Sequence, residues 1–117
     1  MNISISIKDR MRKFLPGKVY KRFTGLISPC GDEYTALVLI LEEAAIKAAE
    51  KVFINHGRPR GSARRFYTAW ILEDECSTVA DMVLSDKSLS YDTVIDAFRF
   101  KALEDVSASV IRDYLDD

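Results

Sequence analysis

A chain of 117 residues, 48% hydrophobic and 30% charged, is long enough to bury one apolar core without disulfide or metal support and too hydrophobic to persist as a disordered tail. Its longest apolar run, residues 36–41, is closed by Glu42 and Glu43 and is far too short to span a bilayer, and no apolar stretch of secretory type precedes Lys8. The formal net charge of −1 conceals a division: residues 1–65 carry 13 Lys and Arg against 6 Asp and Glu, whereas residues 66–117 carry 4 against 12. A cytoplasmic single domain over residues 1–117 is expected, with Cys30 and Cys76 as reduced thiols. Its halves, +7 and −8, would each steer partners of the opposite sign.

At the N-terminus, Ile3, Ile5 and Ile7 alternate with serine as a strand would, while Ser6 followed by Asp9 equally suits the start of a helix bearing Ile7, Met11, Phe14 and Leu15. Pro16-Gly17 forces a break. A short second element is expected over residues 18–24, with Val19 and Phe23 on one face before Gly25, and Ser28-Pro29-Cys30-Gly31 reads as a loop. Asp32 is the expected N-cap of a helix running toward Asn55, with Gly57 just beyond it. The first half of that helix is apolar on most sides and the second is rich in alanine, which predicts a buried, central element. A buried strand over residues 35–41 is the rival, and the uninterrupted continuation through residues 42–51 favours helix.

All glycines and prolines lie at or before Gly61, so residues 62–117 lack the residues that tight hairpin turns require. Ser62 is expected to cap a helix over residues 62–84 carrying Phe66, Ala69, Trp70, Cys76, Val79, Ala80 and Val83, its apolar stripe interrupted by Glu73. The exit falls near residues 85–88. Ser90 then caps a final stretch in which Tyr91, Val94, Ile95, Phe98, Ala102, Val106, Val110 and Tyr114 follow helical spacing, as one helix or as two divided near residues 106–110. The expected fold is an all-α, compact single-domain bundle of four or five helices, with a short N-terminal strand as the alternative for the first residues, and with Trp70 and Phe98 in the core.

Two basic segments stand out. Lys8, Arg10, Arg12, Lys13, Lys18, Lys21 and Arg22 are interleaved with Phe14, Tyr20 and Phe23, a mixture that suits phosphate contact with base stacking, adhesion to an anionic membrane, or simply a solvated outer face. The second is His56-Gly57-Arg58-Pro59-Arg60-Gly61 followed by Arg64-Arg65. Its core, residues 57–60, resembles the minor-groove element of AT-hooks and of recombinase N-terminal arms. That resemblance implies an extended backbone carrying arginines into a narrow groove of negative potential. It covers four residues, has His56 where AT-hooks carry another arginine, and joins two predicted helices instead of lying in a free arm.

The acidic half supplies Asp81, Asp92, Asp96, Glu104 and Asp105, spread over the last helices, where they would form a negative face suited to a basic protein. A helix-turn-helix reading of residues 76–100 fails, because Asp92 and Asp96 would face phosphates. Chemistry-bearing sets are thin: His56 is the sole histidine, the two cysteines lack paired metal-ligand spacing, and Glu73-Asp74-Glu75 point in different directions on a helix. No catalytic set, metal or cofactor is assigned. The expected function is a non-enzymatic inhibitor, immunity or adaptor-type module contacting a protein partner through charge. The alternative is a nucleic-acid-binding regulator using residues 8–22 and 56–65, and self-association suits either.

Overall fold

The computed structural model describes residues 6–68 and 72–115, with side chains as far as Ser107 except those of residues 68 and 73. These residues form six helices and no strand: α1 (Ile7–Phe14), α2 (Gly17–Cys30), α3 (Glu33–Asn55), α4 (Ser62–Thr68), α5 (Leu72–Ser85) and α6 (Tyr91–Leu115). The molecule is an all-α bundle. Ile3 and Ile5 of the strand alternative lie outside the described residues, as does Trp70, whereas Ile7 opens α1.

Helix α1 stops where Leu15 turns extended before Pro16, because a pre-proline residue disfavours helical ψ. Helix α2 departs from expectation by running past Gly25 and through Pro29. Two features carry it: Leu26 and Ile27 pack on the main core, and Pro29 falls in the last turn, where its missing N–H removes a single bond. Gly31, at φ +88°, then closes the helix in the left-handed conformation that glycine tolerates, donating to the Ile27 carbonyl at 3.0 Å.

Asp32 caps α3, as its position suggests. Its Oδ1 accepts the Thr35 N–H at 2.7 Å and its Oδ2 accepts the Thr35 hydroxyl at 2.8 Å, and these bonds hold the carboxyl below its ordinary pKa. Helix α3 is the hub of the fold, approached by all five other helices. It buries Leu37, Ile40 and Leu41 on one stretch and Ala44, Ala45, Ala48 and Ala49 on the next. The alanines let neighbouring backbones come close.

The core divides into two clusters along α3. The first gathers Met11, Phe14, Phe23, Leu37, Leu41, Cys76, Val83 and Val94. The second gathers Ala49, Phe53, Ala63, Tyr67, Ala102 and Val106, with Phe53, Phe66 and Tyr67 in mutual ring contact at centroid separations of 5.2–6.2 Å. Helix α6 runs in the same direction as α3, since Tyr91 shares a cavity wall with Ile40 and Ala44 while Val106 reaches the cluster of Phe53. The stretch near residues 106–110 does not divide it. Ser90 caps it, its Oγ accepting the Thr93 N–H at 3.2 Å. Phe98 is half-buried at the margin of the first cluster, not enclosed within it.

The helix expected over residues 62–84 is present as α4 and α5, on either side of residues 69–71. Ser62 is its first helical residue and not its cap. The position before it belongs to Gly61, at φ +88°, whose N–H donates to the Glu50 carboxylate, and the buried Ser62 hydroxyl has no hydrogen-bond partner among the described residues.

Candidate interaction surfaces

Arg10 is not on the exposed basic surface. Only 8% of it is accessible, and its guanidinium donates from Nε to the Val83 carbonyl at 3.0 Å and from Nη2 to the Asp86 and Leu89 carbonyls at 3.1 and 3.2 Å. It also lies over the Phe14 ring, 5.2 Å from the centroid. The Val83 carbonyl belongs to the last turn of α5, where backbone acceptors lack helical partners and the helix dipole is negative, so a buried cation there is both bonded and neutralised. Arg10 thus clamps α1 to the α5–α6 turn.

The other cations of the first basic segment are exposed, Arg12 and Lys13 on α1 and Lys21 and Arg22 on α2. Arg22 is already paired with Glu43, Nη2 to Oε1 at 2.8 Å. The aromatics between them face inward: Phe14 and Phe23 are buried, and Phe14 packs edge-on to Tyr91. That arrangement matches a solvated cationic face over an aromatic core, in which Phe14 and Phe23 are closed to a stacking base and Tyr20 is half-buried.

Residues 56–61 form a tight inter-helix turn. Arg58 donates its N–H to the Phe53 carbonyl at 2.9 Å, Ser62 to the Pro59 carbonyl at 3.1 Å, and His56 donates from Nδ1 to the Val52 carbonyl at 2.8 Å. Gly57 and Gly61 take positive φ, +80° and +88°, which folds the segment back against α3 instead of extending it as a free arm would require. Arg58 is half-buried; Arg60, Arg64 and Arg65 are exposed. Arg60 and Arg64 share a cleft of about 640 Å³ with Lys47 and Lys51 of α3, two lysines that the sequence reading did not single out.

The five acidic candidates separate by use. Asp81 accepts the Tyr34 hydroxyl at 2.9 Å, which raises the tyrosine pKa, and Asp105 accepts the Tyr67 hydroxyl at 2.6 Å. Burial first, then Asp105, pushes Tyr67 far above the ordinary phenol range. Lys101 bonds Glu75 at 2.9 Å and lies 3.9 Å from Asp105, and its pKa rises chiefly through the Glu75 bond. Asp92, Asp96 and Glu104 remain exposed on α6, Asp96 with a solvent-exposed partner in Arg99 at 3.0 Å. Between Asp96 and Glu104 stand two further side chains that sequence reading missed: Phe100, 67% exposed, and Leu103, 44% exposed. By helical phase Phe100 lies opposite the stripe of Val94, Ala102 and Val106.

No family model, curated protein or solved structure matches this chain. Its own chemistry must carry the reading. Cys30 and Cys76 are both free thiols; burial, then Glu42 and Glu75, pushes the enclosed Cys76 to about 12, which leaves it a protonated, unreactive packing residue. Among the described residues no group of three or more His, Cys, Asp and Glu is placed to hold a metal, and no helix is long and apolar enough to cross a membrane. The missed Phe100 and Leu103 did leave a signal: their spacing falls out of phase with the apolar stripe of residues 94, 98, 102 and 106.

Proposed function

We propose that the protein is a non-enzymatic binding module whose outer α6 face docks a basic surface of a protein partner. The observation that carries this reading is Phe100, a large ring with two-thirds of its surface in water, set beside Leu103 and framed by Asp92, Asp96 and Glu104. Scattered surface leucines are ordinary, but an aromatic anchor within a charged rim has the anatomy of a binding hot spot. Even with Asp96 paired to Arg99, the exposed Asp92 and Glu104 leave the rim net negative, and carboxylates attract cationic surfaces and repel phosphates. Such a face suits a small inhibitor or immunity-type protein that covers the nucleic-acid-binding surface of its target. The two free thiols fit a reducing, cytoplasmic setting.

The test is affinity purification from native lysate after nuclease treatment, comparing the unmodified chain with Phe100→Asp and with the Asp96→Lys, Glu104→Lys double variant. A basic protein retained by the unmodified chain, lost by both variants and bound again between purified components is the expected result. Equal retention by Phe100→Asp overturns the reading. Recovery that nuclease abolishes also overturns it, in favour of a nucleic-acid-binding regulator using residues 8–22 and 56–65. A homodimer that Phe100→Asp dissociates would assign the face to self-association instead.

A further inference from the structure

We propose that the cleft between α3 and the start of α4 is a second site, for a compact ligand carrying two or more adjacent phosphates. Lys47 and Lys51, one helical turn apart, form one wall, and Arg60 and Arg64 approach from the other side. Of the two carboxylates in the same cleft, Glu43 is paired with Arg22, whereas Glu50 accepts the neutral Gly61 N–H and keeps its charge, so four cations face one unpaired carboxylate. None of the four cations forms an ion pair with a described residue. The cations outnumber that carboxylate, so their mutual repulsion and a net positive potential persist in the concavity, and a polyanion relieves both effects.

The donors match phosphate. Guanidinium groups bind its oxygens in pairs, and lysines contribute mobile point charges. The site is also held in place before any ligand arrives. Arg60 sits in a turn fixed by the backbone bonds of Arg58 to Phe53 and Ser62 to Pro59, and Arg64 lies in the first turn of α4. At about 640 Å³ the cleft falls in the size range of small-molecule sites. Its apolar wall is aliphatic, Ile46 and Ile54, which gives an organic body somewhere to rest. A nucleic-acid strand fits less well, since the cleft is short and concave and stacking on aromatic rings is what such strands exploit.

Calorimetric titration of the intact protein with inorganic pyrophosphate, magnesium-free ATP and a short single-stranded oligonucleotide tests the proposal. One-to-one binding of pyrophosphate or ATP is expected, weakened roughly tenfold by Lys51→Ala and again by Arg64→Ala, and unchanged by Lys13→Ala on α1. All three positions are exposed, and circular dichroism checks that each variant keeps its helices. Equal binding of the two small probes means that the phosphates alone are read, and tighter ATP binding means that the body rests on the isoleucines; both support the site. Absence of saturable binding, equal loss with Lys13→Ala, or an oligonucleotide affinity that exceeds ATP and grows with strand length each overturns it.

Discussion

Replacing Arg10 by alanine isolates the clamp between α1 and the α5–α6 turn. The substitution leaves the buried Val83 carbonyl without a donor, at a cost of about 1–3 kcal/mol, and removes a cation from the Phe14 ring, worth about 0.5–1 kcal/mol. The Asp86 and Leu89 carbonyls are only part-buried and recover most of their loss from water. A net destabilisation of about 3 kcal/mol follows, which lowers the thermal midpoint by roughly 12 °C for a domain of this size. Arg10→Lys should restore only part of it, because one ammonium cannot reproduce the spread of Nε and Nη2 across three carbonyls. The internal reference is Arg12→Ala, on the same helix but exposed, expected within about 0.5 kcal/mol of the unmodified chain. Thermal and urea unfolding followed by far-ultraviolet circular dichroism measures all three. If Arg10→Ala proves as mild as Arg12→Ala, the clamp contributes nothing and the reasoning fails.

Phe53→Ala, which empties the centre of the second cluster, should cost about 3–5 kcal/mol in urea unfolding, whereas the half-buried Phe98→Ala should cost about 1–2 kcal/mol; equal losses would contradict the burial pattern. Phe100→Ala should leave stability within about 0.5 kcal/mol, and a larger loss would show that its ring packs against the fold. In the native protein an aromatic disulfide reagent should label Cys30 before Cys76, and equal rates would exclude an enclosed Cys76. Because folding raises the Cys76 pKa from 9.0 to about 12, its contribution to stability is complete below pH 9 and is lost as pH rises toward 12. Cys76→Ser should flatten that alkaline decline; an unchanged slope would assign it to other groups.

The features legible in the sequence are those decided within a few residues. Asp32 and Ser90 cap as their positions indicate, and the apolar-then-alanine pattern of residues 36–49 marks the hub because burial on several sides needs that composition. Local rules misled where tertiary contacts outweighed them. Gly25 and Pro29 looked like terminators, yet Leu26 and Ile27 gain enough from the core to carry α2 onward. Arg10 could not be told from Arg12 by composition, since its partners are carbonyls more than seventy residues away. The same distance problem hid the cleft: Lys47 and Lys51 meet Arg60 and Arg64 only because Gly57 and Gly61 reverse the chain.

The hub arrangement has a mechanical consequence. Apart from α1 with α2, the outer helices meet chiefly α3, and they are joined to one another by the shared first cluster, with its Phe14–Tyr91 ring contact, and by the reach of single long side chains: Arg10, Tyr67 and Lys101. Releasing an outer helix therefore means breaking its seam on α3 and a few side-chain contacts to its neighbours. Such a molecule is suited to local opening, in which one outer helix is lost before the whole bundle unfolds.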